Sequence, residues 1–354
     1  MSSGFSWCRF LAGSSAVAVI SILGIGTGYA GGGPVKIKPP KVFPYVITQP
    51  GSYQLIGNIS VTAGGTAIDI QASNVTLDLN GFTIQGAGGA YNGQHGIMAN
   101  DANGRNITVK NGSVRAFSGI GIYLLGRGHI VMEVKADNNA GDGIYVSQSS
   151  LVQRCTATGN GGNGIETGKA CTIKENVCSG STGSGIRTGG WGSLVTQNIC
   201  SSNTAHGVFA DQGTAITQNT CSENTTCGIE MGGRCSAIQN TCFYNLIGIE
   251  DSASGCLIKD NSCTLNSFGG IAVVSNCQIS QNSCARLNGI GIFCGGSYNS
   301  VTDNTCSGNT GAAIDLGNGG SNYAAQNKLS SNGSTIANSV GDTLGAGDLA
   351  NVSF

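Results

Sequence analysis

Charge is scarce in this chain. Only 10% of its 354 residues are Asp, Glu, Lys or Arg, where about 25% is usual. Neither sign is in surplus: 17 Lys plus Arg stand against 18 Asp plus Glu, for a net charge of −1. That balance excludes a nucleic-acid binder built on a basic face. Charge blocks are missing too, and with 40% apolar residues a disordered chain is excluded. Proline is absent after Pro50. No segment after residue 30 is apolar enough to cross a bilayer as a helix. Cys-x-x-Cys occurs nowhere, which argues against zinc held by converging cysteines.

What the chain has is glycine, 59 residues, and cysteine, 15 residues, 14 of them after residue 150. Glycine does not recur at every third position, so collagen is excluded. A chain of this length ordinarily folds as two or more domains. A repeat array escapes that rule, because each unit touches only its neighbours.

Residues 1–30 read as a secretory signal. Arg9 supplies the positive start, Leu11 to Ile25 are mostly apolar or small, and Gly28-Tyr29-Ala30 forms a small-residue cleavage site. Cys8 falls inside this segment. The expected location is therefore secreted, periplasmic or at the cell surface, with no membrane span after cleavage. Residues 31–50, with Lys36, Lys38 and Lys41, follow as a Pro- and Lys-containing leader or N-terminal cap.

A fixed period runs through the rest. Asn-x-Cys recurs at Asn176/Cys178, Asn198/Cys200, Asn219/Cys221, Asn240/Cys242, Asn261/Cys263, Asn282/Cys284 and Asn304/Cys306. The Cys steps are 22, 21, 21, 21, 21 and 22 residues, with Cys155 extending the series upstream and Asn327/Leu329 downstream. A Gly-Ile or Gly-Val pair follows in each unit, as at Gly143-Ile144, Gly207-Val208 and Gly270-Ile271. A period of 21–22 is too short for a two-helix repeat. Apolar positions alternate, as in Ile271-Ala272-Val273, which gives the period of 2 of a strand. Asn and Gly mark the turns, since both tolerate positive φ. Stacked strands need every backbone N–H, and that explains the missing proline.

On this repeat, and on the opening Pro44-Tyr45-Val46-Ile47, Gly51-Ser52-Tyr53-Gln54-Leu55 and Asn74-Val75-Thr76-Leu77-Asp78-Leu79-Asn80-Gly81, the chain resembles the right-handed parallel β-helix superfamily. That is the fold of the pectin and pectate lyases, of periplasmic NosD-type proteins and of secreted β-helix-repeat proteins. The resemblance implies an all-β, single-stranded right-handed parallel β-helix of about 12 coils. The helix spans 51–335, and 336–354 form a C-terminal cap or tail.

The ladders read first as structure. Val114, Ala136 and Leu329 share the main Cys position, so Cys there acts as a small apolar residue. Cys171, Cys235, Cys256 and Cys277 lie seven residues before a ladder Cys and are the candidates for disulfides within a coil. The Asn ladder, and a Gln ladder one residue earlier, read as turn-holding amides.

Chemistry is expected on the outward column after each Gly-Ile pair. It reads Met98, Tyr123, Tyr145, Glu166, Arg187, Phe209, Glu230, Glu250, Ala272, Phe293 and Asp315. Aromatic faces beside planar polar groups suit a sugar track, with Tyr123, Tyr145, Glu166 and Phe209 as substrate-binding residues. The plain alternative is a solvated face with ion pairs such as Glu166/Arg187. Asp251 breaks the inward pattern of Leu124, Val146 and Met231, and such breaks are where function is expected. Asp211, Glu230, Glu250 and Asp251 could supply oxygens to Ca²⁺. By the outline of the pectate-lyase mechanism, Arg187, Glu230 and Glu250 are then the catalytic candidates. Polygalacturonase motifs (Asn-Thr-Asp, Asp-Asp, Gly-His-Gly) and the epimerase Asp-Pro-His are absent. His95 and His206 precede Gly-Ile or Gly-Val pairs and read as turn or core residues.

Three readings follow. The first is a secreted protein that binds a polysaccharide, with or without cleaving it in the manner of a polyuronate lyase. The second is a non-enzymatic envelope or surface scaffold. The third, by NosD analogy, is a periplasmic accessory protein.

Overall fold

A computed structural model describes residues 33–338 apart from 63, 91 and 287, with the backbone of two further strands, Thr343–Leu344 and Val352–Ser353. The signal segment, its cleavage site and Cys8 lie outside the described residues.

One coil shows the plan. Cys227–Met231 runs along a first face, Ser236–Ile238 along a second and Thr241–Phe243 along a third, before Ile247–Asp251 returns to the first one rung on. Sharp corners separate the faces. Arg234, Gln239 and Tyr244 take left-handed φ values of 60°, 58° and 57° there. All pairings between rungs are parallel, and parallel connections of this kind wind right-handed. The strands of the Gly-Ile face form one sheet of 14, from Tyr45–Ile47 to Ser334–Ala337. The solenoid thus has about 14 turns, close to the 12 expected. Part of the difference is the leader: Val35–Ile37 and Tyr45–Ile47 pair in register with the following coils.

The inward positions fill the lumen. Val114, Ala136, Ala157, Cys178, Cys200, Cys221, Cys242, Cys263, Cys284, Cys306 and Leu329 pair in unbroken register, and all are buried. Cys155 is not a rung of this ladder, as the spacing suggested. It occupies the Asn column instead, its N–H donating to Asn176 Oδ1 at 2.8 Å. All fourteen described cysteines are buried thiols, so the disulfides within a coil do not form. Burial pushes the Cys155 thiol up to about 12, so it packs as a neutral group.

Three turn ladders hold the corners. In the main one, Asn219 donates from N and Nδ2 to Asn240 Oδ1 at 2.9 and 3.0 Å, and Asn240 Nδ2 donates to Ile216 O at 2.9 Å. A second runs through Asn203, Asn224, Asn245 and Asn266. The third mixes residue types: Cys256 N donates to Cys277 Sγ at 3.4 Å, and Cys277 N to Asn299 Oδ1 at 3.0 Å. These Asn are not there for positive φ. The residue before each main-ladder Asn takes the left-handed turn, as at Gln197, Gln218 and Gln239. The Asn side chain satisfies backbone groups that the corner would otherwise bury unpaired. The glycine of each Gly-Ile pair serves close approach. A Cβ at Gly228 would sit 2.7 Å from Gly248 O.

Candidate functional site on the Gly-Ile face

The outward column is continuous. Tyr123, Tyr145, Glu166, Arg187, Phe209, Glu230 and Glu250 pair rung to rung, followed by Ala272, Phe293 and Asp315. Parallel register therefore stacks side chains that are 20–22 residues apart in sequence. A second outward column runs three residues earlier. His206 precedes Phe209 in this way, and Cys227 precedes Glu230.

The lower end is aromatic. Tyr123 and Tyr145 stack with centroids 5.2 Å apart, and His95 stacks on Tyr123 at 4.9 Å. His95 Nδ1 accepts from Ile120 N at 3.0 Å, and burial lowers the imidazole's proton affinity. His95 thus supports the tyrosine stack from the outer face and is no lumen residue.

Polar groups follow. Glu166 accepts from Asn163 Nδ2 at 2.7 Å, and Asn163 N donates to Asp142 Oδ1 at 2.6 Å. Burial first, with Glu166 adding, lifts the Asp142 carboxyl to about 6. No ion pair joins Glu166 to Arg187 among the described residues. Arg187 instead places Cζ 5.1 Å from the centroid of the Phe209 ring, a cation–π contact.

The upper end gathers titratable groups. His206 Nε2 lies 3.1 Å from Glu230 Oε2, and its Nδ1 lies 2.9 Å from Thr226 Oγ1. Desolvation lowers the His206 proton affinity, against the opposing pull of Glu230 and Glu250. Cys227 Sγ donates to Glu250 Oε2 at 2.9 Å. Burial, and next the hydrogen bond to Glu250, push that thiol well above the usual range. Cys227 packs with Ile247, Ala272 and Phe293 in a small apolar cluster separate from the lumen core.

The structure thus brings Arg187, Phe209, Glu230 and Glu250 together, and adds His206 and Cys227. It does not gather the four carboxylates expected to hold Ca²⁺. Asp211 accepts from Gly190 N and Gln212 N at 2.9 and 2.8 Å. Asp251 points into the lumen, 2% exposed, and accepts from Cys256 Sγ at 3.2 Å and Cys277 Sγ at 3.1 Å. Glu230 and Glu250 alone offer too few oxygens for an ion that takes six to eight. His206 and Cys227 escaped notice because their column was read as turn or core. Simple alternation would turn the residue two before an inward Ile or Val inward as well. The pattern breaks at the glycine between them, where a Cβ at Gly228 would lie 3.0 Å from Cys242 Cβ, on the same inward side as Ile229.

Among the described residues no helix is long and apolar enough to cross a membrane. A family model described as the right-handed beta helix region matches residues 46–198, 152–277 and 187–332. No curated protein matches the chain in sequence. Among solved structures, the DFA-IIIase from Arthrobacter chlorophenolicus A6 without its lid is 13% identical over 86% of this chain and 88% of that one, with a TM-score of 0.52. The A-module of the Azotobacter vinelandii mannuronan C-5 epimerase AlgE4 is 14% identical over 72% and 86%, with a TM-score of 0.47. The periplasmic alginate epimerase AlgG is 12% identical over 82% and 78%, with a TM-score of 0.41. At these identities the likeness concerns the fold.

Proposed function

This chain belongs to the right-handed beta helix family, and from that premise we propose that its Gly-Ile face binds an acidic polysaccharide lying along the rungs. One observation carries the reading. Seven consecutive rungs, Tyr123 to Glu250, present aromatic and planar polar side chains in unbroken outward register. At about 4.8 Å per rung the track is about 29 Å long. Stacked Tyr123 and Tyr145 offer rings to sugar faces. Arg187, held by Phe209, offers a fixed guanidinium to a uronate carboxylate. The signal read at 1–30 would bring the protein to such a polymer outside the cytoplasm.

The finer reading is cleavage by β-elimination. Arg187 neutralises the uronate carboxylate, and His206 removes the proton from the carbon beside it. The freed electron pair forms the C=C bond as the glycosidic C–O bond breaks, and the leaving oxygen takes a proton from water. Glu230 accepts Nε2–H at 3.1 Å and so orients the imidazole. Burial keeps His206 neutral, with its lone pair on Nδ1, able to accept once the Thr226 hydroxyl at 2.9 Å turns away.

The test is a panel of acidic and neutral polysaccharides, scored for binding by calorimetry and for turnover by the absorbance of the unsaturated product. Arg187→Ala and Tyr145→Ala are each expected to weaken binding about 3–10-fold with the thermal midpoint unchanged. If no glycan binds or turns over, the scaffold reading replaces this one.

A further inference from the structure

Thirteen of the fourteen described cysteines serve the solenoid. Seven line the main ladder, Cys171, Cys235, Cys256 and Cys277 belong to the mixed turn ladder, Cys155 stands in the Asn column, and Cys294 pairs with inward Val273. Cys227 is the exception. It pairs with Ile247 on the outer side, where its neighbours are Glu230 on its own rung and His206 and Glu250 on the adjoining ones. A thiol at that place is not explained by lumen packing.

Its surroundings have the chemistry of a metal site. One ligand atom each from His206, Cys227 and Glu230 lie within 4.8 Å of one another. Zinc bonds of about 2.0 Å to N and O at a tetrahedral angle set those donors about 3.3 Å apart, and His206 Nε2 stands 3.1 Å from Glu230 Oε2. The other ring nitrogen is engaged by Thr226 Oγ1 at 2.9 Å. Such an outer contact fixes the ring and aims Nε2 at the site. Glu250 Oε2 receives the Cys227 thiol hydrogen at 2.9 Å, so it is the first acceptor for the proton that must leave when sulfur binds a cation. Cys227, Ile247 and Ala272, each under a tenth exposed, wall one side against water. Mixed N, S and O donors select a borderline ion such as Zn²⁺ over Ca²⁺.

We propose that His206 Nε2, Cys227 Sγ and a Glu230 carboxylate oxygen bind one zinc-class divalent cation on the Gly-Ile face. Binding exchanges the thiol proton for the metal, with no change of oxidation state. This site stands independently of the polysaccharide reading, because metal uptake is measured without any glycan. Metal on Nε2 leaves the ring proton of neutral His206 on Nδ1, so no lone pair remains to take a substrate proton and zinc suppresses cleavage where cleavage is observed.

The experiment titrates Zn²⁺ into chelator-treated, folded full-length protein against a chromophoric competitor, and repeats the loading with Co²⁺. Expected are one equivalent of Zn²⁺ and a thiolate-to-cobalt charge-transfer band. His206→Ala, Cys227→Ser and Glu230→Gln should each weaken Zn²⁺ binding about 10–100-fold. Asp211→Asn should change it less than twofold, since Asp211 is engaged elsewhere. Circular dichroism checks each variant's fold. The wild-type cobalt spectrum needs no variant, and its lack of a thiolate band overturns the proposal. So does absence of stoichiometric Zn²⁺ uptake, or a folded Cys227→Ser protein that keeps full affinity.

Discussion

Glu250 and Asp251 are consecutive carboxylates on one strand, and both accept hydrogen bonds from thiols. Glu250 faces outward and receives Cys227 Sγ at 2.9 Å. Asp251 faces the lumen and receives Cys256 Sγ and Cys277 Sγ at 3.2 and 3.1 Å. Outside, the cluster opens to solvent beside His206 and Glu230, and its members can exchange partners for a ligand. Inside, Asp251 is 2% exposed, and its partners belong to the ladder that holds the corner. A strand's alternation sends neighbouring residues into different media, so the same functional group becomes a reactive surface on one side and a fixed structural element on the other.

The largest expected effect lies inside. Asn240→Ala strips the acceptor from Asn219 N and the donor from Ile216 O. Each buried unpaired group costs about 1–3 kcal/mol, so a loss of roughly 2–6 kcal/mol is expected in urea unfolding. Loss of under 1 kcal/mol would show that the ladder amides are replaceable and would erase the contrast between lumen and surface.

The Glu250/Asp251 pair gives the next test. Asp251→Ala leaves two buried thiols without this acceptor and opens a void, for an expected loss of about 1–3 kcal/mol. Glu250→Ala should cost less than about 1 kcal/mol, because its carboxylate is solvated. Equal losses from both substitutions would break the comparison.

Asp142 sharpens it from the surface side. Its carboxyl, lifted to about 6, takes up its proton at higher pH in the fold than in the unfolded chain. The native state therefore binds more protons between about pH 4 and 6, and stability falls as pH rises through that window. Asp142→Asn removes the cost of a half-buried charge. It should stabilise the protein by roughly 1–2 kcal/mol at pH 7, with the gain fading below pH 4. A gain that persists unchanged at pH 4 would mean that packing, not charge, is responsible.

Most of the architecture was legible in the sequence for a physical reason. Each rung repeats the same contacts, so the repeat wrote the same residues into Asn240, Cys242 and Gly248 as into their counterparts 20–22 residues away. The outward column from Tyr123 to Glu250 was legible too, since alternation fixes which side a strand residue faces. Cys155 was misplaced because spacing alone cannot tell the Asn column from the Cys column two residues on. The Ca²⁺ set failed at Asp211 and Asp251 because hydrogen-bond partners, not proximity in sequence, decide where a carboxylate is spent. His206 and Cys227 were passed over because their column holds Ile in other rungs.

By itself the sequence determined the solenoid, its period and the side of the strand on which each candidate lies, because these follow from local alternation and from a repeat that every coil shares. Only the tertiary structure decided which outward residues meet. Arg187 turns to Phe209 and not to Glu166, His206 to Glu230, and Cys227 to Glu250. Those choices depend on side-chain reach across rungs that the chain joins only after a full turn.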